Sequence, residues 1–275
     1  DEHFKSGRTF SEEKVIQSID DWLAGTEKEK VYTKYDFIDG KRKRLKESLN
    51  KINFYAPKLQ EKCLNISVLK ESLSERIWIE LNERSCEGYF WGYEEFPRFI
   101  FKWNETNIFE HSNKDYELIA NLINDWIVNS SMPSQMDGKY KEVDFGKLGF
   151  YYEKGKGIEG EFILSWDSIE QFYGELSDKW HPFKKDALKL IKEMRIEGLD
   201  KELRAGQSLF FFMLSRARRH GLGNSHPYLH IAFIGENRMR INSNLDKDNT
   251  DVECEVKFTG YIKELVEKLL DEKIE

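Results

Sequence analysis

The chain reads as an α+β protein: an antiparallel β-meander with packed helices, followed by a C-terminal helical and β-rich unit. Three observations predict this. Apolar residues recur at helical spacing near both ends and again around Leu118 to Trp126. Between Arg76 and Glu110 the period drops to two. Polar or Gly-containing breaks cut that middle stretch about every eleven residues, the cadence of a meander. Composition agrees, since 14% aromatic residues with only 18 Gly and 5 Pro in 275 residues describe neither a disordered nor a collagenous chain.

The opening segment places Thr9 and Glu12 at capping-box spacing ahead of Val15, Ile16, Ile19, Trp22 and Leu23, with Gly25 as a stop, so a short amphipathic helix is expected. Residues 38 to 64 carry Lys41, Arg42, Lys43, Arg44 and Lys46, with Leu45, Leu49 and Ile52 suggesting a helix that breaks near Pro57. Ile77, Ile79 and Leu81, then Phe99, Phe101 and Trp103, alternate as strands do. Asn113 is expected to cap a helix through Trp126, and Met132 to Lys141 reads as an irregular connector broken by Pro133 and Gly138.

Phe150 to Tyr152 and Phe162 to Leu164 flank a Gly-rich stretch and suggest a hairpin. Helices are then expected over Ser165 to Leu176, Pro182 to Arg195 and Ala205 to His220. Strands follow at Tyr228 to Ile234, Arg238 to Asn242 and Val252 to Phe258, and a helix carrying Ile262, Leu265, Val266, Leu269 and Leu270 closes the chain. This gives an N-terminal helical arm over 1–64, a meander plus helix over 65–142 and an α+β unit over 143–275, the last two open to sharing one core. The matching stretches Ile19-Asp20-Asp21-Trp22-Leu23 and Ile123-Asn124-Asp125-Trp126-Ile127 read as two similar helix ends, not a duplication.

A net charge of −7 offers no global attraction to nucleic acid or an acidic membrane, so any polyanion site is local. The longest apolar run, Leu209 to Leu214, is far too short for a membrane span, and no leader-like pattern opens the sequence. Three scattered cysteines, Cys63, Cys86 and Cys254, fit neither a zinc ribbon nor a disulfide framework and point to a reducing, cytoplasmic setting.

Gly155-Lys156-Gly157-Ile158-Glu159-Gly160 matches G-x-G-x-x-G, but a dinucleotide fingerprint follows a strand and opens a helix, so a hairpin turn is the expectation here. Asp144-Phe145-Gly146 spells a kinase motif on the wrong side of it. The most distinctive chemistry is Arg204 to His220, with Arg204, Arg216, Arg218, Arg219 and His220 and no acidic residue. On one helix Arg204 and Arg218 share a face while Arg216 falls on a more apolar, partly buried side, where a guanidinium needs a carboxylate or phosphate that its planar fork can hold bidentately, so the helix is expected to bind an anion. The competing reading is structural: cations near a helix C-terminus meet the macrodipole, with Gly221 as the stop.

Lys41, Arg42, Lys43 and Arg44 form a secondary basic patch, and Trp78, Tyr89 and Trp91 would stack bases if one sheet face were open. His220, His226 and His230 lack a diagnostic ligand spacing, so no metal is assigned and no cofactor is expected. Glu255 and Lys257, an E-x-K pair on a strand, are the weak catalytic candidates of a metal-dependent nuclease. The leading expectation is a non-enzymatic intracellular binding or adaptor protein that recognises an acidic protein surface or a phosphate-bearing ligand. The alternative is a nucleic-acid-associated protein; whether the chain is an enzyme, and its oligomeric state, stay open.

Overall fold

The structure is a computed structural model that describes residues 12–27, 30–31, 34–35, 40–62, 65–71, 74–91, 95–218, 226–245 and 251–274. The chain divides into two compact units, Asp1–Gly146 and Lys147–Glu275. Each contains a five-stranded antiparallel meander with helices packed on it, so the α+β class holds in both.

The first unit opens with α1 (Glu12–Leu23), α2 (Gly40–Tyr55) and α3 (Lys58–Lys62), the last two separated at Pro57 as expected. The meander is β1 (Asn65–Glu71), β2 (Ser74–Leu81), β3 (Arg84–Tyr89), β4 (Arg98–Trp103) and β5 (Thr106–Ser112). Asn104 and Glu105, at φ 46° and 65°, make the two-residue β4–β5 loop with both positions left-handed, the twist that hairpins favour. The register opposes Ile79 to Cys86, Cys86 to Phe101 and Phe101 to Phe109, which puts one apolar row on one face.

That face is closed by α4 (Tyr116–Ile123), which runs on as a π turn over Asn124–Val128. Ile119, Leu122, Ile123, Trp126 and Ile127 are fully buried there. Phe101 stacks on Phe109 at 4.3 Å, and Trp126 meets both rings edge-on. The Arg84 guanidinium sits in the corner between the perpendicular rings of Trp103 and Trp126, 3.6 and 3.7 Å from their centres. The cap of α4 is Asp115, two residues later than expected. Its carboxylate accepts from the Glu117 and Leu118 amides, while Asn113 holds the Asp115 amide. The 132–141 connector is corrected to a helix, α5 (Pro133–Lys139). Pro133 sits in its first turn, where a missing N–H costs nothing, so it starts the helix instead of breaking it.

The second unit begins with α6 (Leu148–Glu153) and α7 (Gly157–Glu175), which replaces the expected 150–164 hairpin. The glycines explain the correction. Gly155 turns the chain at φ 71°, and a Cβ on Gly160 would lie 2.4 Å from the Tyr151 ring, so Gly160 lets the two helices meet at a tight corner. Then come α8 (Lys184–Ile196), a 3₁₀ turn (Leu199–Lys201), and the strands β6 (Arg204–Ser208), β7 (Phe211–Ser215), β8 (Tyr228–Gly235), β9 (Arg238–Ser243) and β10 (Val252–Glu255), closed by α9 (Tyr261–Leu270).

The helix expected over 205–220 is therefore wrong: its first half is the β6–β7 hairpin. Phe212 and Leu214 point into the core while Phe211 and Met213 point away, a period of two hidden inside an all-apolar run. The Trp166 indole of α7 donates to the Leu203 carbonyl at 2.7 Å and Ser165 accepts the Ala205 amide, which fixes β6 beside that helix. No helix among the described residues is long and apolar enough to cross a membrane.

Candidate docking surface

Three of the arginines singled out in the sequence, Arg204, Arg216 and Arg218, are engaged within the fold. Arg218 donates from Nε and Nη2 to the two Glu161 carboxylate oxygens, at 3.1 and 2.8 Å, and from Nη2 to the Tyr152 hydroxyl at 3.0 Å; that hydroxyl also donates to Glu161. Glu161 lies on α7 and is buried, and its hydrogen bonds hold the Arg218 guanidinium well above its ordinary pKa. The group ties the α6–α7 corner to the end of β7. Arg204 donates to the Arg218 carbonyl, and burial lowers its pKa. Arg216 donates to the Leu270 carbonyl at 2.9 Å, so it caps the C-terminus of α9 and meets the macrodipole of a helix other than the one expected. Arg219 and His220 lie outside the described residues.

The other candidates are dispersed. Arg44 stacks over Phe90 at 3.9 Å and donates to the Glu95 carbonyl; the side chains of Lys41, Arg42 and Lys43 lie outside the described residues. Glu255 ends β10, opposite Arg238 in register, and Lys257 follows beyond the strand. Their neighbour Glu253 is clasped by Arg238 and by Arg240, the latter at 2.7 Å. Among the described residues no group of three or more His, Cys, Asp or Glu is arranged to hold a metal ion. The His230 ring lies against that of Tyr228, tilted by 34° with centres 4.3 Å apart. On the polar face of the first sheet, Lys102 lies over Trp78 and joins Arg76 on the buried carboxylate of Glu87, while Trp91 is exposed and touches Tyr89 edge-on.

The feature the sequence reading missed is the tip of the β6–β7 hairpin. Ser208 pairs with Phe211, leaving Leu209 and Phe210 as a two-residue loop. Leu209 has φ 54° and is 77% exposed. A positive φ at this loop position is normally supplied by Gly, Asn or Asp, and a leucine there is under backbone strain. Phe210 is half-exposed and anchored: its carbonyl accepts from the Tyr173 hydroxyl at 3.0 Å, and its ring contacts His181, Phe183 and Phe172. Burial raises the Tyr173 phenol well above its ordinary value, so it stays a donor at neutral pH. Trp180, 71% exposed, stands on the same Ser177–Phe183 connection, with Lys179 over its ring. An aromatic and aliphatic surface held by a buried hydroxyl has the composition of an interaction hot spot. Comparison with protein-family models, with curated proteins and with solved structures finds no match.

Proposed function

We propose that the chain is a non-enzymatic binding or adaptor protein whose second unit grips a partner protein through Leu209, Phe210 and Trp180. The observation that carries this reading is Leu209. A branched apolar side chain at positive φ costs about 1 to 2 kcal/mol locally and gains almost no burial. Local rules broken without a folding benefit mark functional positions. The occupant is a peptide segment with an apolar anchor and acidic flanks, because the exposed Lys179 and Lys185 border the Trp180–Phe183 segment.

The test is selection of phage-displayed random peptides on the wild-type chain, counter-selected on the Leu209→Asp/Trp180→Ala variant. Enrichment of peptides with an aromatic or leucine anchor beside Asp or Glu, lost on the variant at unchanged melting temperature, is the expected result. Labelled single- and double-stranded nucleic acid, titrated at low and moderate salt, serves as the control. Tight, steeply salt-dependent binding that the variant leaves intact would replace this reading with the nucleic-acid one.

A further inference from the structure

A cavity of about 470 Å³ opens on the first unit where the last turns of α2 meet the start of α4, a volume that suits one small molecule. Lys51, Phe54 and Tyr55 line it from α2, and Lys114, Asp115 and Tyr116 from the chain entering α4. Leu45, Ser48 and Ile52 take the buried side of α2, which leaves Phe54 78% and Tyr55 46% exposed. The wall between the two helices is preformed. The Tyr116 and Ser48 hydroxyls hydrogen-bond at 2.8 Å, and Lys51 Nζ stands 4.6 Å from the centre of the Tyr116 ring. Asp115 Oδ1 accepts both cap amides, at 3.0 and 3.1 Å, so its Oδ2 is left to accept from elsewhere.

Three kinds of group therefore converge on one cavity: aromatic rings, two ammonium groups and a carboxylate oxygen that can only accept. The chain carries a net charge of −7, yet here two lysines face one carboxylate, and among the described residues neither lysine is ion-paired. Such a lining suits a ligand with a flat ring to stack, an anion for the lysines and a hydroxyl to donate to Asp115. Inorganic phosphate would leave the rings unused, and an apolar molecule would leave the lysines unused. We propose that this cavity binds a free nucleoside monophosphate, with the base on the Phe54, Tyr55 and Tyr116 side, the phosphate on Lys51 and Lys114, and a ribose hydroxyl on Asp115.

A single set of rings favours a free nucleotide over a strand, because strand-binding grooves repeat their aromatic platforms along a basic track. The cavity lies on the first unit and shares no residue with the Leu209, Phe210 and Trp180 surface of the second, so either proposal can fail alone.

Calorimetric titration of the full chain with AMP, adenosine and ribose 5-phosphate at low salt tests it. AMP is expected to bind with a micromolar to submillimolar Kd, more tightly than either fragment. Lys51→Glu/Lys114→Glu should weaken AMP at least about 10-fold and leave adenosine unchanged, because only the phosphate meets the lysines. Phe54→Ala should weaken AMP and adenosine alike, by about 5- to 150-fold, the effect of losing one base–aromatic contact, and leave ribose 5-phosphate unchanged. Both variants should melt with the wild type, since all three side chains are exposed. No binding of AMP at millimolar concentration, or binding that neither variant alters, would overturn the proposal. So would an oligoadenylate held more than about 100-fold more tightly than AMP, which would make the cavity one station of a strand-binding groove.

Discussion

Leu209 allows a sharp test, because its backbone and its side chain make opposite predictions for stability and binding. At φ 54° the Cβ costs about 1 to 2 kcal/mol. Replacing Leu209 by Gly removes that cost but adds about 0.5 to 1 kcal/mol of chain entropy in the unfolded state. It also gives up the quarter of the side chain that is buried, about 0.5 kcal/mol. The sum leaves Leu209→Gly at or slightly above wild-type stability. Leu209→Ala keeps the strained Cβ and loses the same burial, so it falls about 0.5 kcal/mol below wild type. Glycine should therefore be more stable than alanine here by about 0.5 to 1 kcal/mol, whereas at an ordinary strand position the order is reversed. Urea titrations with unchanged m-values resolve a difference of that size, fitted as two transitions if the two units unfold separately. Both variants should lose partner binding, which separates the leucine's purpose from its effect on folding. A Gly variant less stable than the Ala variant would refute the strain on which the functional reading rests.

Other consequences can be measured on the same material. Glu161→Gln leaves Arg218 without its charge partner beside a buried site and should destabilise the second unit by about 3 kcal/mol in thermal or urea melts. Gly160→Ala drives a methyl into Tyr151 and should cost about 1 to 3 kcal/mol, read as a lowered melting temperature. Arg84→Lys replaces a planar cation held against two perpendicular indoles with a point charge and should cost about 1 to 2 kcal/mol, with a change in the fluorescence of Trp103 and Trp126. Asp125 is pushed up by burial, but hydrogen bonds from Lys139, Tyr140 and Asn129 outweigh this and bring its pKa below 3.8. A depressed carboxylate stabilises the fold above its unfolded pKa and loses that contribution as pH falls through the folded one. Asp125→Asn should accordingly be less stable than wild type at pH 7, and the gap should close as the pH drops below about 4.

What the sequence disclosed follows from how directly each element is written in local patterns. The first meander was legible because its strands are half-buried: buried Ile77 and Ile79 alternate with the partly exposed Arg76, Trp78 and Glu80, and Asn104-Glu105 is a turn in its own right. The closing helix α9 was legible for the same reason, with four buried positions at helical spacing. The β6–β7 hairpin was not. Its second strand carries Phe-Phe-Met-Leu, apolar on both faces, and its loop lacks the Gly, Asn or Asp that marks a hairpin. The same two features that hid the hairpin, a two-sided apolar strand and an apolar loop, are those that leave Leu209, Phe210 and Phe211 exposed. The glycines at 155 to 160 misled for a different reason. Gly155 turns the chain, and Gly157 and Gly160 allow close approach of α6 to α7, a tertiary fact that no local period records.

The fate of the arginines also depended on partners distant in sequence. Arg216 and Arg218 drew attention because no acid stands near them in the chain, yet Glu161 lies 57 residues before Arg218 and the Leu270 carbonyl 54 residues after Arg216. A local excess of one charge therefore has two readings, an external anion or an internal partner brought in by topology. For Arg218 the geometry favours the internal one, because a bidentate pair with a buried carboxylate leaves only the outer edge of the guanidinium to solvent. Release of that pair to hold an outside phosphate would take the Arg218 charge away from the buried Glu161 carboxylate, at a cost of several kcal/mol. An external anion would have to supply that energy before it gained anything. Tight phosphate binding at Arg218, abolished by Arg218→Ala in a variant shown to remain folded, would contradict this account. Phosphate binding unchanged by Arg218→Met/Glu161→Leu would bear it out, because the double replacement removes the pair without leaving a buried charge.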